Sequence, residues 1–391
     1  MKRLRILYIA GPGDVCKTYK YWEQGKEDPT QANVTYSGQF YSVCEDMGAT
    51  AYVLSSHAVK QRIKTDRFVI EHRSSPFDKA HGFLFHLGRV INVVNIFLIA
   101  FKFRPNYVLV SSGVHWFMLW PLVMLGIKII PTIHCVLWLK HKKKSTVNKV
   151  LDFFNGYFFK YGCFEIMSAS KDISRQLQQL NVNELKIHEF LPYYLRGEFD
   201  QITRPIKRKN SLKLLYVGRI VKEKGVFDLL EIYDALFKSG FDIELGYCGT
   251  GVDLVALKEE ARKYSSVYCY NHCNKEDLFY QIGRSNAFVV PTTTAFVEGF
   301  NQVVVEGVLS GRPVITSDVC PAIEYVKSAV IECEPDNLQS YIDGIKKIYL
   351  DDDFYNEKCD ACYALQGDFY NKNNSWGNVF KNLVISYENR K

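Results

Sequence analysis

The sequence predicts two doubly wound α/β domains, and three observations carry that prediction. Short, near-continuous apolar runs alternate with amphipathic segments, the pattern of parallel strands covered by helices on both faces. The alternation stops at a polar, basic stretch, Arg204-Pro-Ile-Lys-Arg-Lys-Asn210, and then starts again. At 391 residues the chain is also too long for one ordinary core.

In the first half, β-branched and aromatic runs predict strands at 4–10, 50–55, 107–112, 129–134, 164–169 and 186–191. Helical periodicity predicts helices near 37–47, 82–101, 146–161 and 171–180. Right-handed crossovers then give a parallel, Rossmann-like sheet. After the linker the same logic predicts strands at 212–217, 241–247, 267–270, 287–291 and 313–317. Helices are expected at 225–238, 252–264, 275–282, 301–309 and 337–350. Residues 374–391 are amphipathic, with Val379, Phe380, Leu383 and Val384 apolar, and are expected to pack back on the first domain. The expected division is 1–200, a linker at 201–211, a second domain at 212–373 and the C-terminal helix at 374–391.

Apolar content of 47% and charged content of 23% are those of a folded globular chain. The net charge of +7 is unevenly spread: residues 1–209 carry +14 and residues 210–391 carry −7. A basic half suits anionic lipid, nucleic acid or a phosphorylated substrate. The run Lys140-His-Lys-Lys-Lys144 has no interleaved aromatics and no nucleic-acid motif accompanies it, so nucleic acid is not expected. An apolar region bearing Trp116, Trp120 and Trp138 lies beside that run. It reads equally as a membrane-surface patch or as a buried helix with a solvated loop. The apolar run 91–100 is too short to span a bilayer, and 114–130 is interrupted by Pro121 and Lys128. Met1-Lys-Arg-Leu-Arg5 leads straight into a strand, which predicts no secretory leader. Eleven cysteines hold one isolated CxxC, Cys359 and Cys362, in a helix-like run, so a structural role and a reducing cytoplasmic setting are expected.

The candidate chemistry lies at the carboxyl ends of second-domain strands, where open α/β sheets bind ligands. The first strand ends in Leu215-Tyr-Val-Gly-Arg-Ile-Val-Lys-Glu-Lys-Gly225. Gly218 permits a tight turn, Arg219 stands at the sheet edge, and Lys224 precedes the next helix. A guanidinium and an ammonium beside a helix N-terminus suit a diphosphate. The turn Gly246-Tyr-Cys-Gly-Thr-Gly251 places Gly249 and Gly251 for close approach of a base or phosphate, although turn chemistry alone also explains them. Glu298 falls on the loop after a buried strand and Glu306 about two turns into the following helix. Carboxylates there accept hydrogen bonds from several hydroxyls, as sugars require.

Taken together, Gly218-Arg219, Lys224-Gly225, Gly246-x-x-Gly249-x-Gly251, Pro291, Glu298-Gly-Phe300, Glu306 and Gly311-x-Pro313-Val314 resemble the retaining glycosyltransferases of family 4, which have the GT-B fold. Their order and spacing agree across residues 212–326. The first half resembles the family through its strand pattern, Tyr36-Ser-Gly-Gln39 and Thr132-Ile-His134. The resemblance implies that Arg219 and Lys224 neutralise the donor diphosphate, Glu298 holds hydroxyls of the transferred sugar, and Glu306 holds the ribose. It implies that backbone groups of Gly299, Phe300 and Asn301 reach the sugar or phosphates. His134 would contact the sugar across the cleft, and Gly38, in the loop before a helix, would approach the phosphates. His57, His115 and His141 carry no such support. Ser37-Gly38-Gln39 departs from the family's paired glycines, and Asn301-Gln302 from its glycine-led pair.

Cations at the leaving diphosphate suit cleavage of a glycosyl–phosphate bond. No cofactor and no metal are expected. The triplet Asp351-Asp-Asp353 contains D-x-D but reads as a helix start. The expected activity is transfer of a hexose from a UDP- or GDP-linked donor to a glycan or lipid-linked acceptor. The expected setting is cytoplasmic, in cell-envelope polysaccharide or glycolipid synthesis, with contact to the inner face of the plasma membrane as an option. The rivals are a GT-B epimerase or phosphorylase, and a nucleotide-sugar-binding subunit without turnover.

Overall fold

The computed structural model describes residues 3–74, 77 and 80–390; Met1, Lys2 and Lys391, at the ends of the basic leader and the C-terminal segment, lie outside them. The first lobe is built on strands β1 (Arg5–Pro12), β2 (Thr50–Ser56), β3 (Arg62–Lys64), β4 (Phe68–Arg73), β5 (Tyr107–Val110), β6 (Lys128–Ile133), β7 (Ile166–Ser168) and β8 (Ile187–Glu189). Their spatial order is β3-β4-β2-β1-β5-β6-β7-β8, parallel except for the edge pair β3–β4. β5 is buried at every residue, so its all-apolar sequence follows from helices on both faces. β3 and β4 were not legible beforehand. Arg62, Lys64, Glu71 and Arg73 break their apolar runs, which an edge position tolerates.

The second lobe uses β9 (Leu212–Val217), β10 (Ile243–Cys248), β11 (Val267–Cys269), β12 (Ala287–Val290), β13 (Val314–Ser317) and β14 (Val330–Cys333). Their order is β11-β10-β9-β12-β13-β14, all parallel. The order reverses between β9 and β12, and at such a reversal the outgoing loops part and leave a crevice. β9 leads to Arg219 and β12 leads to Glu298. Helix starts follow the polar residue ahead of each apolar run. Thr35, Ser145, Asn274, Asn337 and Ser375 each accept a hydrogen bond from the amide three residues on.

The helix containing the apolar run 91–100 extends over Phe83–Phe103, so it is longer than that run suggested. By length and composition it is sufficient to cross a membrane. Val93, Ile96, Ile99 and Ala100 nevertheless pack in the first lobe's core. Asp351 caps helix Asp352–Leu365 by accepting from the Phe354 amide at 2.9 Å, and Cys359 and Cys362 are buried along that helix.

The chain passes between the lobes twice. Tyr194 and Phe199 already pack in the second lobe's core, although they fall within the expected first-domain span 1–200. Phe369 is still in that core, whereas Trp376, Phe380 and Val384 of helix Trp376–Glu388 are in the first lobe's core. The two passages are bonded to each other. The Leu191 amide donates to the Asn374 carbonyl at 2.8 Å, and the Tyr194 amide to the Phe369 carbonyl at 3.0 Å.

Trp376 is fully buried among Tyr8, Phe40 and Phe380 and donates its indole N–H to Thr132 Oγ1 at 2.7 Å. Trp376→Ala is expected to lower the stability of the first lobe by about 3–5 kcal/mol. Denaturant unfolding read by fluorescence checks this; a midpoint unchanged from wild type would show that the C-terminal helix does not support the lobe.

Candidate active site

Three loops build the site at the second lobe's β9/β12 reversal. The Thr293 amide and hydroxyl donate to the Glu223 carbonyl at 3.1 and 2.9 Å. A Cβ on Gly225, whose φ is +72°, would fall 2.0 Å from the Pro291 carbonyl oxygen. The loop carrying Lys224 is thus fastened to the loop carrying Glu298. Lys224 Nζ forms an ion pair with Glu298 Oε1, and both side chains are largely buried. Phe296 lies beneath the cations: Lys224 Nζ is 4.3 Å and the Arg219 guanidinium 5.0 Å from its ring centre.

The third loop comes from the first lobe. The Val136 amide donates to the Glu298 carbonyl at 3.0 Å. Gly299 lies so close to the His134 carbonyl that a Cβ would fall 1.6 Å from its oxygen. The Cys135 thiol, between them, is pushed up mainly by burial; the Glu298 charge also raises it, while Arg219 and Lys224 oppose. Arg219, Lys224, Glu298 and His134 therefore meet where the lobes touch. Glu298, Phe296 and Val136 line a cavity of about 300 Å³ between the lobes.

His134 ends β6 with its ring 4.7 Å from Tyr36 and 5.3 Å from Phe190. Burial holds it down at about 4, so it is neutral at pH 7. Its Nε2 lies 3.0 Å from Thr132 Oγ1, the same oxygen that accepts from Trp376. Gln302 Nε2, at the start of the helix behind Glu298, reaches the Tyr36 hydroxyl at 3.4 Å.

Glu306 stands apart from this cluster. It lies one turn, not two, into helix Gln302–Leu309 and is buried, with the Tyr194 hydroxyl donating at 3.4 Å. Burial pushes its carboxyl up to about 7. Asn301 occupies the left-handed region at φ +69°, a conformation asparagine tolerates and other non-glycine residues resist, so it does what the family's glycine does at that place. Its side-chain amide contacts Cys320 Sγ. Phe300 is a core residue, and its carbonyl accepts from the Ala322 amide at 2.9 Å.

One glycine expectation needs correction. Gly38 is not in a loop. Thr35 starts the helix Tyr36–Asp46 ahead of it, and the Gly38 amide is taken by the Thr35 hydroxyl at 3.1 Å. Gly249 and Gly251 have a packing role. A Cβ on Gly249, at φ +156°, would meet the Gly218 carbonyl at 1.8 Å, and one on Gly251 the Ile220 carbonyl at 2.0 Å. The turn after β10 thus props the turn that holds Arg219.

Side chains missed in the sequence complete the interface. Asp318, after β13, binds Lys140 Nζ at 2.6 Å and His141 Nε2 at 3.1 Å; burial pushes its carboxyl up, but these partners, Lys140 foremost, hold it below the usual range. Arg175 donates to Glu324 at 3.0 Å. Lys144 pairs with Asp152 at 2.8 Å and covers the Trp138 ring. Part of the basic run is thereby engaged inside the protein. Phe296 was detectable as an aromatic two residues before Glu298. Trp376 was not, because it meets Thr132 across 244 residues.

Two parallel-sheet lobes with reversal-point loops facing each other across a cleft define the GT-B class of folds. Residues 198–363 match the family described as glycosyl transferases group 1. It is 31% identical over 115 residues to the capsular polysaccharide biosynthesis glycosyltransferase CapM of Staphylococcus aureus, a stretch covering 28% of this chain and 29% of the relative. The chain thus spans about a third of the length of the curated relatives it matches. Among solved structures, sucrose-phosphate synthase of Thermosynechococcus elongatus superposes with a TM-score of 0.70 at 14% identity, covering 99% of each chain. Alr3699/HepE of Anabaena, in complex with UDP, superposes with a TM-score of 0.66 at 11% identity, covering 99% of this chain and 100% of the other. These two establish the GT-B fold.

The contact at Gly299 generates a test. Gly299→Ala places a methyl group where the His134 carbonyl is, so the lobes must part there. A larger radius of gyration by small-angle scattering is expected, with little change in the unfolding midpoint. An unchanged radius together with full stability would mean that the contact is not close in solution.

Proposed function

We propose that this protein is a retaining, metal-independent hexosyltransferase. It takes its sugar from a UDP- or GDP-linked donor and passes it to a glycan or lipid-linked acceptor of the cell envelope. The observation that carries the reading is the Lys224–Glu298 pair over Phe296, with Arg219 beside it, at a cleft shared by both lobes. CapM, by its name a capsular polysaccharide enzyme, supports the envelope assignment.

The ion pair stores both binding functions in one neutral unit. An arriving diphosphate takes Lys224 and Arg219, since a doubly charged group competes well against one carboxylate. Glu298 is then free to accept hydrogen bonds from sugar hydroxyls. As the glycosyl–phosphate bond breaks, the two cations stabilise charge on the leaving oxygen. The acceptor attacks from the leaving-group face and gives its proton to that phosphate, so no second carboxylate is required as in glycosidases. Neutral His134 offers a ring nitrogen to a sugar hydroxyl, which can donate or accept. Glu306 is assigned to the ribose: its carboxylate accepts from ribose hydroxyls once Tyr194 yields.

A thermal-shift panel of UDP, GDP, ADP and TDP sugars identifies the donor, because a ligand of the native state raises the midpoint. In a transfer assay with that donor, Glu298→Gln is expected to lose most turnover while still binding the nucleoside diphosphate, and EDTA is expected to leave wild-type turnover intact. Wild-type turnover in the variant removes Glu298 from the mechanism, and metal-reversible loss with EDTA removes the metal-free reading.

The Glu306 assignment has a pH signature. The carboxylate form binds ribose hydroxyls, and a group held up at about 7 gives that form up as pH falls through 7. Nucleotide-sugar affinity should weaken roughly tenfold from pH 8 to pH 6. The donor's phosphates are diesters and do not titrate there. Calorimetry on Glu306→Gln should give weaker binding with a flat profile; the same slope in the variant would place the titrating group elsewhere.

A further inference from the structure

Two helices of the first lobe carry apolar stripes that the fold leaves uncovered. Helix Phe83–Phe103 exposes Val90, Val94, Leu98 and Phe101, the last at 75%. Helix Thr146–Tyr161 exposes Val150, Phe153 and Tyr157, with Phe153 at 69%. Spacings of three and four residues draw one line down each helix. Each helix also has an inward set, Val93 with Ile96 and Phe158 with Phe159, so the outer stripes are additional to the core.

The stripes belong to one surface. Right-handed crossovers leading to β5 and from β6 to β7 place both helices on the same face of the sheet. The segment between them joins the two: His115 stacks on His86 at 5.1 Å, and Phe117 meets Phe154 at 5.5 Å. The charge around this surface is one-sided. Residues 81–161 contain ten Lys and Arg and one acidic residue, Asp152, which Lys144 neutralises. Lys102, Lys149 and Lys160 are exposed on the two helices themselves, Arg104 directly follows the first, and the exposed Lys142 and Lys143 shortly precede the second.

We propose that this face seats the protein on an anionic lipid bilayer, with both helices lying in the boundary between headgroups and acyl chains. A second copy of the chain would set this excess of positive charge against itself, so charge complementarity favours anionic lipid. Helix Phe83–Phe103 lies on the membrane and does not cross it, because it joins β4 to β5 of one sheet and a crossing would tear that sheet apart. Phe85 and Arg89 of the same helix also line an apolar trough of about 590 Å³ that ends at His134. Seating the stripe in lipid brings the acceptor end of the cleft to the membrane surface. The acceptor, on the glycosyltransferase reading above, is then lipid-linked.

The test is co-sedimentation of the full chain with phosphatidylcholine vesicles, with and without phosphatidylglycerol. Binding is expected to be about tenfold or more stronger with the anionic lipid and to weaken with salt. The double variants Leu98→Ser/Phe101→Ser and Phe153→Ser/Tyr157→Ser should each lose about tenfold of that binding while keeping the thermal shift with the nucleotide sugar. Absence of binding, or equal binding to neutral vesicles, overturns the proposal. So does a stable dimer by sedimentation velocity that the same variants dissociate. Retention on vesicles through alkaline carbonate overturns the surface-lying geometry. Vesicle binding without any nucleotide-sugar shift would instead sink the enzymatic reading and leave the membrane face standing.

Discussion

Two main chains touch where the loop His134–Val136 of one lobe meets Glu298–Gly299 of the other, and no side chain separates them. That contact sets the carboxylate of Glu298, which lines the interlobe cavity and is paired with Lys224, against the strand end that carries His134. It exists only because residue 299 is a glycine. It is aimed by fastenings further back: Thr293 to Glu223, Gly225 against Pro291, and Gly249 against Gly218. The strand ends supply positions, and these backbone contacts supply the precision that a reaction between two separately folded lobes requires.

The two glutamates illustrate how environment divides labour between identical groups. Glu298 is compensated by a lysine and lines the interlobe cavity. Glu306, eight positions on, is compensated only by a tyrosine hydroxyl and rides high on the pH scale. Helical geometry separates them: Glu298 lies in the loop beside the first lobe, while one turn of helix carries Glu306 into its own lobe. A neutral histidine across the cleft adds a polar group without adding charge, and it shares the Thr132 hydroxyl with a tryptophan from the far end of the chain.

The strands of both sheets' centres were legible because burial on two faces writes itself as an unbroken apolar run. β5, β9 and β12 are of this kind. The edge strand β3 and its neighbour β4 were not, since Arg62 and Lys64 are exposed to solvent and Glu71 is held by Tyr52 and Arg73. The gathering of Arg219, Lys224 and Glu298 followed from topology, as loops at one reversal point must be neighbours. The depth of Glu306, the capped amide of Gly38 and the packing duty of Gly249 depend on angles of a single turn, which spacing does not encode. The departure at Asn301 was visible as a substitution; its meaning needed the backbone dihedral. Trp376 was beyond reach for a different reason: the core it joins is assembled from strands laid down hundreds of residues earlier.

The paired passages between the lobes determine how the molecule can open. With Leu191 bonded to Asn374 and Tyr194 to Phe369, both connections run side by side as one ribbon. A ribbon of this sort flexes like a book's spine: the covers swing, but they neither slide past one another nor twist freely. The covers are also joined by side chains, Lys140 and His141 to Asp318 and Arg175 to Glu324. Charged clasps of this kind loosen with ionic strength, whereas the spine, sewn with main-chain hydrogen bonds, does not.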